Sequence, residues 1–182
     1  IRSWRDEWSR ASLFTTANDL PFGFVQLSTW ADKLNSTCGS MDSAACSVPT
    51  VRWGQTANHG FVPNENMTNT FMAVGVDLGD PSGPWGDIHP RWKKVQAHRL
   101  VQGALAVAYH EEGISWTGPI ATSAKLVGGN PPGVQITFNN TGSGLLLKHS
   151  VGVEVFQPIS IAPYYTWVLT PIVRSDATSI TA

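Results

Sequence analysis

Cysteine is nearly absent: Cys38 and Cys46 are the only two in 182 residues. The small-residue segment Cys38-Gly-Ser-Met-Asp-Ser-Ala-Ala-Cys46 joins them, and no nearby histidine completes a zinc-ligand spacing, so the pair reads as a local disulfide. Charge is also scarce, with 12 Lys plus Arg against 13 Asp plus Glu. The longest basic run is Arg91-Trp-Lys93-Lys94, too short to make an electrostatic surface for nucleic acid or membrane. No apolar stretch approaches the roughly 20 residues that a membrane-spanning helix needs. The chain opens at Ile1-Arg-Ser-Trp-Arg5 with neither Met nor a signal-peptide pattern, and is expected to be a mature or processed chain that begins partway through something. Internal repeats and low-complexity segments are lacking too.

What is present is a core. Hydrophobic residues make up 42% of the chain, enough for one domain or one and a fraction. Eight of the 18 aromatics are Trp, which serves either a heavily aromatic interior or stacking platforms for sugar rings. Three Asn-x-Ser/Thr sequons, at Asn35, Asn66 and Asn139, fall in polar, loop-like sequence. Sequons and disulfide together point to a lysosomal or secreted location.

Hydrophobic patterning divides the chain in two. Trp4 to Ser12 has helical spacing, Phe22 to Leu27 is a continuous apolar run suited to a strand buried on both faces, and Val51 to Ala57 reads as a short helix. Thr70 to Leu78 is the second buried strand, and Gly79 to Gly86 is a loop by composition. A long helix follows from Arg91 to Tyr109. Pro90 is placed in its first turn, and Trp92, Val95, Leu100, Val101, Ala104, Leu105 and Ala108 form its apolar face. Strand, helix, strand, loop and helix make an α/β signature for residues 1–112. Residues 113–182 instead carry short β-rich runs at Ala124–Val127, Val134–Phe138, Gly144–Leu147, Val151–Val155 and Thr166–Ile172, which read as an antiparallel β-module.

Gly86-Asp87-Ile-His89-Pro90 is the segment that could carry chemistry, because it places a histidine and carboxylates where strand gives way to helix. A histidine base holds its proton transiently as imidazolium, and a carboxylate beside it orients the ring and offsets that charge. Asp87 is the first candidate for this acid, Asp80 and Asp77 the alternatives. The competing reading makes His89 a helix-start residue and Asp87 a loop acid. His59, His98, His110 and His149 show no metal-ligand spacing, so no metal site is expected.

The blocks Trp4-Arg5, Leu20-Pro-Phe-Gly-Phe-Val-Gln-Leu27, Arg52-x-x-Gln55-Thr-Ala57, Asn69-Thr-Phe-Met-Ala-Val74, Asp77-Leu78, Asp87-Ile-His-Pro90 and Val107-Ala-Tyr109 closely resemble the C-terminal half of sialate O-acetylesterases. These are SGNH-type serine esterases. The resemblance runs in order from Trp4 to about Pro119 and fades beyond it to a general similarity with the β-rich tail of that family. It implies the C-terminal part of an SGNH hydrolase domain, flavodoxin-like with three α/β/α layers. It implies hydrolysis of O-acetyl esters on sialic acids without metal or organic cofactor. His89 aligns with the family's catalytic histidine; the wider group often places Asp three residues before it, where this chain has Gly86, and Asp87 lies two before it. Gln26, Gln55 and Trp85 become candidate pocket residues, and Arg52 a candidate partner for a sialic acid carboxylate.

The family's nucleophile lies in a Gly-Asp-Ser block, with oxyanion-hole glycine and asparagine in later blocks, and this chain contains none of them. The expected partner is therefore an N-terminal chain of the same precursor carrying the serine, as in lysosomal members processed into two chains, acting on an O-acetylated sialoglycan. Two other functions compete: a non-catalytic carbohydrate-binding or structural homologue, and an acetylesterase for other acetylated sugars such as xylan.

Overall fold

In chain order the elements are α1 (Arg2–Ala11), β1 (Phe22–Val25), β2 (Thr37–Cys38), α2 (Ala44–Gln55), β3 (Thr70–Ala73), α3 (Lys93–Val107), β4 (Ile120–Val127), β5 (Gly133–Asn139), β6 (Val151–Pro158), β7 (Tyr165–Pro171), β8 (Arg174–Ser175) and β9 (Ser179–Thr181). The structure is a computed structural model describing residues 1–29, 37–38, 44–129, 132–147, 151–158 and 165–182, with backbone alone for 37–38, 44–47, 151–158 and 165–169. Trp30, Asn35 and His149 lie outside the described residues, as do the side chains of Cys38 and Cys46 and hence the expected disulfide. Backbone contacts gather the chain into two units, Ile1–Trp30 with Val48–Trp116 and Ala31–Ser47 with Thr117–Ala182.

The first unit is built on a parallel pair. β1 and β3 run side by side from Phe22 opposite Thr70 to Val25 opposite Ala73. Parallel strands need a crossover, and α2 lies in it. Thr70, Phe71 and Ala73 of β3 are buried, as expected of a strand covered on both faces, whereas β1 is half-buried along its length. Both strands are shorter than their apolar runs. Beyond Val25 most of the β1 backbone meets side chains of α2 rather than another strand: Gln55 Nε2 donates to Val25 O (3.1 Å) and Leu27 N donates to Gln55 Oε1 (2.9 Å). Arg52 continues the bracket, its Nε donating to Leu27 O and its Nη2 to Ser28 O, each at 2.7 Å. β3 ends where a turn closes from Leu78 N to Gly75 O (3.1 Å).

α3 packs on β3 and β1, rotated from the expected face, of which Leu100, Ala104, Leu105 and Ala108 are half-buried. Its buried residues are Gln96 and Gly103, while Trp92 and Val101 are more than half exposed. The cause is the Phe71 ring, which lies over Gly23 and so close to α3 that a Cβ on Gly103 would sit 2.8 Å from it. Only a residue without a side chain lets helix and strand approach there, and this sets the rotation of the helix. Pro90 falls before the helix, whose N-cap is Trp92. α2 begins at Ala44 rather than Val51 and contains Pro49, so it extends back into the cysteine segment. α1 begins two residues before the expected Trp4 and leaves Trp4 and Trp8 more than half exposed. It is fastened by Arg5, whose guanidinium donates to Leu20 O (2.8 Å), Thr68 O (2.9 Å) and Asn69 O (3.1 Å) at the entrances to β1 and β3.

The second unit contains a four-stranded antiparallel sheet, β4-β5-β9-β8, and a three-stranded one, β2-β7-β6. Four of the five predicted runs overlap β4 to β7. Gly144–Leu147 is not a strand, and β2, β8 and β9 were not foreseen. β9 follows a turn built by Asp176, whose carboxylate accepts from Thr178 N (2.9 Å), Ser179 N (2.7 Å) and Ser179 Oγ (2.7 Å). These donors, the Ser179 hydroxyl foremost, hold the Asp176 carboxyl down to about 2.

Candidate active site

The carboxyl ends of β1 and β3 lead into the segments that carry the candidate residues. His89 sits in the loop between β3 and α3, exposed, with its backbone N–H donating to Gly86 O (3.0 Å). Gly86 turns the chain with φ +85°, a left-handed conformation that a side chain would strain. Among the described residues no hydrogen bond or ion pair reaches the His89 ring.

The loop is locked by Asp80. This buried carboxylate accepts from Arg91 Nε (2.6 Å) and Nη2 (2.9 Å), from Arg91 N (3.2 Å) and from Ser82 Oγ (3.3 Å). Its own N–H donates to Asp87 O (3.0 Å), so both ends of the histidine loop are tied to one residue. The Arg91 hydrogen bond is the largest cause of the drop of the Asp80 carboxyl to about 2, burial opposing it. The same pairing raises Arg91 above its ordinary value. Asp80 is therefore an ionised clamp under the loop.

Asp77 is also held by an arginine. Arg99 of α3 grips it through Nη1 (2.6 Å) and Nη2 (2.7 Å), with Nη1 also donating to Val74 O (2.6 Å), and the pairing raises Arg99. Asp87 is buried two residues before His89. Of the three candidate acids, two are thus bidentate partners of arginine.

The other predicted residues separate by role. Gln55 and Arg52 bracket the backbone leaving β1, so their polar atoms are spent on main-chain groups. Gln26 is half-buried, and its Oε1 finds no hydrogen-bond partner among the described residues. Ser28 is buried with an unpartnered hydroxyl and is no exposed nucleophile. Trp85 is 72% exposed and, with His89, Pro90, Arg91 and Lys93, lines a cavity of about 550 Å³. Arg91, Arg99 and Lys93 were not singled out from sequence. Arg91 and Arg99 lie 11 and 22 residues from their acids, a separation with no local pattern to betray it. Asn66 and Asn139 are both exposed; Asn66 Nδ2 lies 3.0 Å from His59 Nε2. No group of three His, Cys, Asp or Glu side chains gathers as a metal site among the described residues, and none of the described helices is long and apolar enough to cross a membrane.

Comparison with known proteins bears on this geometry. The chain is 44% identical over 130 residues to the sialate O-acetylesterase of Mus musculus, and 43% identical over 127 residues to that of Homo sapiens. These matches cover 71% and 70% of the chain. The chain is a relative of the sialate O-acetylesterases. It matches 23% of the length of each of these family members, so it corresponds to a minor part of them. No family model matches. A carbohydrate acetylesterase from Xanthomonas citri shares the fold, with a TM-score of 0.60, 21% identity, and coverage of 99% of this chain and 37% of that one. The mixed α/β architecture is common to both.

Proposed function

We propose that this chain is the histidine-bearing C-terminal portion of a sialate O-acetylesterase, a serine carboxylic-ester hydrolase. The observation that supports this most is the coincidence of 44% identity to a family member with an exposed histidine on a clamped loop beside a cavity. The finer architecture is read as the C-terminal part of an SGNH-type three-layer α/β/α domain, residues 1–112, followed by the β-rich module, 113–182. The parallel pair β1 and β3 is then part of a larger sheet completed elsewhere.

The reaction is acyl transfer. A serine on the partner portion attacks the acetyl carbonyl, and His89 accepts its proton and returns it to the leaving sugar hydroxyl. Water then attacks the acetyl-enzyme with His89 again acting as base, and as the bond to the serine oxygen breaks His89 returns the proton to it, releasing acetate. Donors on the partner portion hold the oxyanion. Asp87, buried two residues before His89 in the same loop, is the first choice for the acid that orients the imidazolium, with Asp80 and Asp77 as the alternatives. Trp85 offers a face for the sugar ring, and Gln26 a polar group near the end of β1. Pairing of Cys38 with Cys46, glycans on Asn35, Asn66 and Asn139, and a lysosomal or secreted location complete the reading.

The test uses the full-length enzyme with both portions present. His89→Ala abolishes hydrolysis of O-acetylated sialic acid, a loss of about 10⁴-fold or more in kcat, while assembly measured by native mass spectrometry is intact. Wild-type turnover in this variant defeats the assignment. A particle with no serine-bearing partner portion favours the non-catalytic carbohydrate-binding reading instead.

A further inference from the structure

The cavity beside His89 is electrostatically one-sided. Its lining residues are Trp85, His89, Pro90, Arg91 and Lys93, with no carboxylate among them. The two permanent cations are not equivalent. Arg91 is neutralised by Asp80 through the fork at 2.6 and 2.9 Å, whereas Lys93 makes no ion pair among the described residues. Lys93 is also the first residue of α3, whose first turn carries no acidic side chain and whose N-cap supplies no side-chain hydrogen bond. The positive end of the helix dipole therefore adds to the lysine's charge instead of offsetting it. An exposed indole and an ammonium without an ion pair lining the same cavity suit a ligand with both an apolar ring face and a fixed negative charge.

We infer that Lys93 is the residue that selects anionic sugars, its ammonium pairing with the sugar carboxylate while Trp85 stacks on the ring and the acetyl ester reaches His89. This rests on the esterase reading above and deepens it by naming what tells a sialic acid from a neutral acetylated sugar. Arg91 does not serve, because turning it toward a ligand would strip the buried Asp80 of its counter-charge and release the histidine loop.

The experiment compares two substrates of the full-length enzyme, O-acetylated N-acetylneuraminic acid and its carboxylate methyl ester, which is neutral but otherwise the same. Wild type prefers the free acid by about tenfold in kcat/KM, mainly through KM, and the preference shrinks as salt is added. Lys93→Met brings the ratio close to one and Lys93→Arg keeps most of it. An unchanged ratio in Lys93→Met, with a melting temperature matching wild type, overturns the inference; so does a wild-type ratio near one. Failure of the underlying reading is a separate result, since there wild type hydrolyses neither compound.

Discussion

Three carboxylates precede one histidine between β3 and α3, and the surroundings of two of them are arginine forks. Asp87→Asn should cost about 10³-fold or more in kcat, the usual penalty when a histidine base loses its orienting acid. Asp80→Asn should act first on stability, because it leaves Arg91 unpaired and unties the loop, with a smaller loss in kcat. Asp77→Asn breaks a more exposed pair and should change stability by less than about 1 kcal/mol. Steady-state kinetics and melting temperatures of the three single variants separate these outcomes, and three equal small losses would move the acid elsewhere. The Asp80 clamp also has a pH signature. Its folded carboxyl titrates at about 2, below the ordinary unfolded value near 3.9, so its contribution is full above that unfolded value and fades as pH falls through the folded one. The stability gap between wild type and Asp80→Asn should therefore be constant from pH 7 to 5 and shrink from about pH 4 toward 2. A gap that stays constant to pH 2 would show that Asp80 acts by something other than its charge.

At the scale of elements, the structure corrects how the strands and helices end. The apolar run through Leu27 reads as strand because periodicity records burial, not the identity of the hydrogen-bond partner. Here Gln55 takes the place of a neighbouring strand, giving one acceptor and one donor to the β1 backbone. Gln55→Ala should lower stability by about 1–3 kcal/mol, since it strands a half-buried carbonyl and N–H together. Gln55→Glu keeps the acceptor for Leu27 N and loses the donor to Val25 O, and should fall between. Chemical denaturation of the full-length protein measures both, and an unaffected Gln55→Ala would return this residue to the list of pocket groups. The rotation of α3 was hidden for a similar reason. Its apolar residues mark a face, but the contact is decided by Gly103, which scores as nothing in a hydrophobic pattern and yet is where Phe71 fits.

At the scale of the whole molecule, the described residues carry large apolar side chains on the surface of α1 and the turn after it. Trp4 and Trp8 are 56% and 51% exposed on one face of α1, and Leu13 and Phe14 in the following turn are 83% and 75% exposed. Residues four apart share a helix face, so the two indoles form one stripe. Under the proposed two-portion enzyme, this stripe is a surface for the serine-bearing portion to cover. Residues 1–182 expressed alone should bind an apolar dye and self-associate, and co-expression with that portion should suppress both. A monomer that binds no dye would count against the two-portion enzyme.

The sequence by itself determined which family to compare and where along the chain to look for a candidate site. His89 at a strand-to-helix junction, the β-rich composition after Gly113 and the ordered blocks shared with the acetylesterases are all local or collinear signals, which a linear reading can detect. Tertiary structure alone decided which carboxylate each arginine takes, which helix face meets the sheet and which cation is left to face the cavity. Those outcomes depend on groups brought together from distant positions, Asp80 with Arg91, Asp77 with Arg99, Phe71 with Gly103. Close packing and charge pairing are set by distances in space, and sequence spacing carries no record of them.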